Sequence, residues 1–454
     1  MTHRISRTGS SWLLVLAAAA CHDSDTFHDY LHHTTLHEAY QASLEQAGLL
    51  ATGMGRDWAA VSTAVLDSAI PIQLPYRESG YLPADSAVAL AYRFEARGGE
   101  AYVVSLETSG RESFRVFVDL FRAPRDSLDA PRHVASVDSL FPDLTGEFHR
   151  DGAYLLRLQP ELLRGGRYTL TIEVGPSLAF PVEGKDSRAI LSAFGASRDG
   201  GLRQHHGVDI FAARGTPVLA AATGRITGVR EAGLGGKVVW QLDRDRGQYL
   251  YYAHLDSQAV VRRQEVEPGD TIGFVGNTGN ARTTPPHLHF GIYRRGRGPL
   301  DPWPFIHSPT TRLEPVQADT SLLGRWVRVH QAVAVQHQAK AQADVVVRVE
   351  RHALMLAQAA MGSWYRVTLP DGAVGYIRAD LAEAATQPVS LRHLAAGEPL
   401  FESPNTNAAV VLATPSDTVV GVFGRYGDYE LVQLAGSRAG WAGTGASGGA
   451  SLGR

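Results

Sequence analysis

Hydrophobic and polar positions along the chain follow two different periods. From about Asp25 to Ile70, apolar residues such as Leu36, Tyr40, Leu44 and Ala47 recur at three- and four-residue steps, which predicts a helical segment over residues 22–80. From about Val88 to Val174 the period falls to two. Here "AYRFEARGGEAYVVSLE", "FRVFVDLF", "GAYLLRLQP" and "GGRYTLTIEV" alternate apolar with polar positions between glycine turns, predicting a β-sandwich over residues 85–178. With 47 glycines, 23 prolines and many further short Val, Ile, Leu and Tyr runs, the expected fold class is mainly β and multidomain after the initial helical part.

The C-terminal part repeats itself. "GSWYRVTLPDGAVGY" from Gly362 aligns without gaps to "GDYELVQLAGSRAGW" from Gly427, matching Gly362/Gly427, Val367/Val432, Leu369/Leu434 and Gly375/Gly440, with aromatic exchanges at Trp364/Tyr429 and Tyr376/Trp441. Two copies at a 65-residue offset predict two small barrels, over 324–385 and 388–445, followed by a Gly/Ser-rich flexible tail at 446–454. The Gly-x-aromatic strand, glycine turn and Gly-aromatic pair resemble the bacterial SH3-like domain, which implies a cell-wall targeting role. Val367 and Leu369 read as core positions. Trp364 and Trp441 fit either a small core or a binding surface. In the same way, the order of strands and turns in 85–178 resembles the sandwich modules found beside secreted bacterial peptidases, which implies a spacer or weak binding module.

Length and charge narrow the picture. At 454 residues the chain exceeds one ordinary core, and 43 basic against 46 acidic residues give no reason to expect a nucleic-acid partner. The single cysteine, Cys21, forbids an intrachain disulfide, so stability must come from packed cores and metal. It follows basic Arg4 and Arg7 and an apolar run from Trp12 to Ala20, the layout of a secretory signal over residues 1–21, with a run too short to span a bilayer. Small residues ahead of this cysteine resemble the lipobox of bacterial lipoproteins. That resemblance implies acylation of Cys21, a membrane anchor and an exported, envelope location facing the periplasm. Cleavage after the Ala18-x-Ala20 triplet, leaving a free secreted chain, is the alternative.

Candidate chemistry lies in the histidines. His28, His32, His33 and His37 in the helical segment form i,i+4 pairs, but no carboxylate base stands between them as in H-E-x-x-H, and they read as structural. In "RQHHGVDIF", strand alternation puts Arg203, His205 and Asp209 on one face and His206 on the other. "TTPPHLHFGIY" puts His287 and His289 on one face after the Pro285-Pro286 pair, and "QYLYYAHLD" is an alternating strand ending at His254. With 18 histidines in the chain, chance supplies about 0.7 H-x-H pairs, so that pair alone is weak. The three segments in this order, among turns such as "GLGGK" and "VEPGDTIGFVGNTG", are a constellation.

On His205-x-x-x-Asp209, Tyr252-Ala253-His254-Leu255 and Pro286-His287-Leu288-His289, residues 181–306 resemble the lysostaphin/LytM-type zinc metallopeptidase domain. The flanking "FGASR", "GTPVLAAATGRI" and "PGDTIGFVGNTG" extend the resemblance over the whole segment, implying an antiparallel β metallopeptidase domain. It implies that His205, Asp209 and His289 bind one zinc ion, that His254 and His287 are the catalytic pair, and that the substrate is peptidoglycan. The chemistry is consistent with this. Two imidazoles and one carboxylate leave a fourth tetrahedral position open, zinc brings bound water to a pKa near 7, and an imidazole both accepts and gives a proton near neutrality. His287 shares the face of His289 and is favoured for water activation; His254 is the second acid/base or oxyanion partner, with the order of the two open. Gly207 is expected to permit close backbone approach, His206 to be a bystander, Arg203 to steer substrate or support a ligand, and Asn277 and Thr278 to line the cleft. Two other functions remain: a catalytically silent activator of another wall hydrolase, and a zinc endopeptidase acting on secreted proteins.

Overall fold

The computed structural model describes residues 34–444 apart from 111, 127–128, 141–142 and 435–438. The expected signal with Cys21, the histidines His28, His32 and His33, and the 446–454 tail lie outside the described residues. Two compact units result: Leu178–His307, and Thr34–Ser177 together with the chain from Ser308 onward.

The Leu178–His307 unit is built on one antiparallel sheet. Its strands run in the order Ile190–Ser192, Val208–Phe211, His287–Arg294, Gln248–Leu255, Gly236–Asp243, Gly224–Ala232 and Glu265–Val266, with Gly298–Leu300 pairing beside His287–Arg294. A three-stranded sheet of Pro217–Leu219, Thr271–Phe274 and Ser257–Gln258 joins it across a shared core that includes Val208, Ile226, Val239, Leu250, Tyr252, Ile272 and Phe290. Strand alternation sends Tyr252 and Phe290 into that core and their neighbours Tyr251 and His289 to the other face.

In the second unit, the helical expectation for 22–80 needs correction. Helices α1 (Leu36–Gln46) and α2 (Gly53–Asp67) form, and Thr35 and Glu38 close a capping box on the first. The helical run stops at Asp67, and Ile70–Pro71 and Tyr76–Leu82 are strands. Pro71 and Pro75 lack the N–H a helix needs, and beyond them the pattern alternates. The Tyr76–Leu82 strand pairs along its whole length with Gly166–Pro176 and thus belongs to the sheet structure expected only from residue 85.

Two sheets face each other in this sandwich, one of five strands in the order Ile70–Pro71, Leu90–Ala96, Gly152–Pro160, Val116–Arg122, Arg132–Asp138. The other does not end at the module. Ser79 and Gly80 pair with Ala360 and Ala359, so the sheet runs on into the first C-terminal repeat. Among the described residues neither repeat closes into the expected barrel: the first shares the long sheet, and the second forms a six-stranded sheet of its own. The repeats are nonetheless equivalent in detail, since Gly362 (φ 49°) and Gly427 (φ 53°) make the same left-handed turn ahead of matching hairpins. Trp441 is 3 % exposed and packs edge-on against Trp326, which makes it a core residue.

Where the sandwich meets the first repeat, Glu78 and Arg366 form a buried ion pair, with Arg366 Nη1 donating to Oε2 at 2.9 Å and Nη2 to Oε1 at 3.3 Å. The hydroxyls of Tyr76, Tyr92 and Tyr168 also donate to this carboxylate. His37 is likewise structural: its ring stacks on Trp58 at 4.9 Å, and Nε2 donates to Gln159 Oε1 at 2.7 Å.

Candidate metal centre

The central pairing of the Leu178–His307 unit assembles the site. Asp209 lies directly across from His289, Phe211 from His287, and Ala253 from His289 on the other side. Three strands distant in sequence therefore bring Asp209, His287, His289 and the end of the His254 strand together.

His205 arrives by a different route from the one its spacing suggests. The strand begins at Val208, and Arg203–Gln204 belongs to a separate hairpin with Ser197–Arg198. The chain turns between them at Gly207, where a Cβ would stand 2.5 Å from the Phe290 carbonyl oxygen and 2.8 Å from the His289 ring. Only glycine fits that crossing, and the turn brings His205 beside Asp209 while His206 stays exposed.

The candidate ligand atoms converge. Asp209 Oδ1 lies 3.0 Å from both His205 Nε2 and His289 Nδ1, and the two nitrogens are 2.9 Å apart. His205 Nδ1 lies 2.8 Å from the Ala193 carbonyl, which fixes the proton there and leaves Nε2 as a lone pair. Burial lowers the pKa of His289, disfavouring its charged form. Burial alone would raise the pKa of Asp209, but the imidazoles of His205 and His289 beside it outweigh it and hold the carboxyl well below its ordinary range. Three acceptors aimed at one point, with at most one proton to share, suit a divalent cation, and two nitrogens with one oxygen match zinc. Among the described residues they are the one group of His, Cys, Asp or Glu side chains so arranged.

His254 and His287 stand alongside, their rings 5.1 Å apart, with His254 5.9 Å from His289 and His287 Nε2 4.0 Å from Asp209 Oδ1. His287 Nδ1 donates to the Pro285 carbonyl at 2.8 Å and His254 Nδ1 to the Thr278 carbonyl at 2.9 Å. Both rings therefore present an unprotonated Nε2 when neutral. Burial, reinforced by His289 and His287, pushes the pKa of His254 down to about 4. His254 has a left-handed backbone (φ 62°), held by its N–H donating to Gly235. Thr278 braces the same corner: its hydroxyl donates to the Leu255 carbonyl and accepts from the Lys237 N–H. Asn277 ties the adjoining loop to the carbonyls of Arg282 and Thr284.

Sequence reasoning singled out Arg203 and missed Arg198. Arg203 is exposed on the outer hairpin, whereas its cross-strand partner Arg198 reaches Asp209 Oδ2 at 2.7 Å and Ser192 Oγ at 2.6 Å. The one signal for it was its place in "FGASR", a segment valued only as flanking pattern.

Residues 203–302 match peptidase family M23. The chain is 36% identical over 143 residues to an L-Ala–D-Glu endopeptidase of Bacillus subtilis (strain 168), covering 29% of this chain and 43% of the relative. It is 35% identical over 121 residues to the murein hydrolase activator NlpD of Escherichia coli (strain K12), covering 26% and 28%. The chain thus spans less than half the length of these curated relatives. Among solved structures, the catalytic domain of the antimicrobial peptidase lysostaphin from Staphylococcus simulans is 32% identical, covering 25% of this chain and 87% of that one, with a TM-score of 0.23.

Proposed function

We propose that this chain, which carries a peptidase family M23 domain at residues 203–302, is a cell-envelope zinc endopeptidase that hydrolyses peptide bonds of peptidoglycan. The observation that carries the reading is the convergence of His205 Nε2, Asp209 Oδ1 and His289 Nδ1 beside two further histidines whose Nε2 atoms are free. Those three residues would hold one zinc ion, which when bound supplies a polarised water and Lewis-acid activation of the scissile carbonyl.

His287, with Nδ1 committed to Pro285, takes the proton of the attacking water at Nε2 and returns it to the leaving amine. Its position 4.0 Å from Asp209 Oδ1 keeps that nitrogen beside the ligand atoms. His254 stays neutral at pH 7, because burial depresses its pKa, and orients the nucleophile as an acceptor. Arg198 fixes the Asp209 carboxylate so that one oxygen remains for the ion. The endopeptidase named for the Bacillus relative supports peptide bonds of the wall as the substrate class. A lipid anchor at Cys21, wall binding by the C-terminal repeats and the sandwich as a spacer complete the proposal, bringing the domain to an insoluble substrate.

The activator named for the Escherichia relative marks the second reading, a domain that stimulates another hydrolase. Zinc analysis and release of muropeptides from purified sacculi separate the two. The peptidase reading expects one zinc per chain and release by the chain alone, with both lost in His205→Ala and His289→Ala and kept in His206→Ala. Release by His289→Ala at the wild-type rate would refute it, and release only when a second hydrolase is added would favour the activator. Product masses then identify the bond cut.

A further inference from the structure

The sheet face that carries Asp209 and His289 continues away from them as a run of aromatic rings. Cross-strand register places Gly291, Tyr251, Trp240 and Gly228 in one row over four strands, next to the row that holds His289 and Ala253. Tyr251 lies edge-on to the His289 ring at 5.8 Å between centroids. Trp240 is 4.4 Å from Tyr251, 5.3 Å from Tyr293 and 6.4 Å from Tyr249. These four side chains are half-buried and stand outside the hydrophobic core, which Ile226, Val239, Leu250, Tyr252 and Phe290 fill on the opposite face. At the far end of the row, Thr227, Gly228, Arg230, Trp240 and Tyr249 line a shallow depression of about 330 Å³.

Large aromatic rings left half-exposed beside a candidate site, with one cation and one hydroxyl at the rim, mark a ligand surface. Their chemistry selects among ligands. A pyranose ring has an apolar C–H face that packs on an aromatic ring and a polar edge that hydrogen-bonds. A half-exposed ledge of Trp240 and Tyr249 beside a shallow depression that opens over Gly228 suits that shape better than the separate pockets needed by an extended peptide's side chains. Distance fits as well. Adjacent strands are about 4.8 Å apart, so the Gly224–Ala232 strand lies roughly 14 Å from the His289 strand, the span of about four extended residues.

We propose that the Trp240–Tyr249–Arg230 ledge binds an N-acetylated amino-sugar ring of the substrate's glycan, while the peptide attached to that sugar reaches the metal centre. The identity of the sugar rests on the peptidoglycan reading above; the stacking surface rests on the aromatic row alone.

A peptide-free tetrasaccharide of alternating N-acetylglucosamine and N-acetylmuramic acid tests this, because it contains no bond the proposed peptidase cuts. The result is therefore independent of whether the metal centre hydrolyses anything. Ligand-observed NMR titration of the full chain is expected to give saturable binding, weakened at least tenfold in Trp240→Ala and in Gly228→Leu. The second variant fills the depression without disturbing the fold, since a Cβ at Gly228 meets the Trp240 side chain at an ordinary 3.5 Å. No saturable binding, or both variants binding as wild type, including binding carried by the C-terminal repeats alone, would overturn the proposal.

Discussion

Arg198 donates from Nη2 to Oδ2 of Asp209 at 2.7 Å, while the other oxygen of that carboxylate faces His205 and His289 at 3.0 Å each. The guanidinium thus divides the carboxylate between a structural oxygen and a ligand oxygen, and it adds the Ser192 hydroxyl to the same brace. Removing a partner that orients a ligand typically costs 10- to 100-fold in metal affinity. Arg198→Ala is expected to weaken zinc by about that factor in competition with a chromophoric chelator. Arg198→Lys should restore only part of it, because the ammonium on its shorter stem does not occupy the position from which Nη2 meets both Asp209 and Ser192. Wild-type affinity in Arg198→Ala would show that the brace is dispensable.

Gly207 sits where His205 must turn to meet Asp209. Its Cβ position collides with the backbone oxygen of Phe290 at 2.5 Å, a group held in the sheet and unable to yield. Gly207→Ala is expected to destabilise the unit by about 1–3 kcal/mol and to displace His205 or His289, weakening zinc as well. Thermal unfolding and zinc stoichiometry on the same preparation check both effects. A variant with wild-type melting and full zinc would mean that the strands shift freely.

His37 carries a pH dependence of its own within the second unit. Burial first, then the nearby Arg157 charge, lowers its pKa below the ordinary 6.5. Above that value both folded and unfolded states are neutral here and the stability is fully present; as pH falls below it, the unfolded chain takes up the proton first and stability is lost. Asp119 and Glu38 oppose the shift without reversing it. His37→Phe keeps a ring against Trp58 and removes the titration. It should lower the melting temperature at neutral pH yet flatten its decline between about pH 7 and 5. Parallel pH profiles for the two proteins would count against this origin.

The Glu78–Arg366 pair joins the sandwich to the first repeat from inside. Glu78→Gln leaves a buried guanidinium without its counter-charge, a loss worth about 3–5 kcal/mol in comparable pairs. Replacing both residues, as in Glu78→Met with Arg366→Met, should be less destabilising than either single change, because no charge is then stranded. Urea unfolding of Glu78→Met, Arg366→Met and the double variant measures the coupling. Additive losses would show that the two charges act independently.

The local periods of the chain made much of this legible. Three- and four-residue spacing marks α1, two-residue spacing marks the sandwich strands, and Pro285-Pro286 with His287 and His289 places two imidazoles on one strand face, since these patterns follow from backbone geometry within a few residues. The repeat at Gly362 and Gly427 was legible for the same reason, as a left-handed turn demands glycine wherever it recurs. What the period does not carry is which distant edge a strand will meet. Ser79 pairs with Ala360, which joins two modules into one sheet, and Arg198 rather than Arg203 reaches Asp209, because the packing of the hairpin, and not its period, sets which of two paired arginines lies within reach.

The sequence by itself marked strands carrying Asp209, His254, His287 and His289 and the order in which they come, because side-chain alternation is a local property of the backbone. Tertiary structure alone decided that His205 reaches Asp209 around Gly207, that Trp441 is buried, and that Tyr251 and Trp240 extend the His289 face into a ledge. Each depends on a pairing register between segments far apart in the chain, and that register is set by the whole core rather than by any stretch of it.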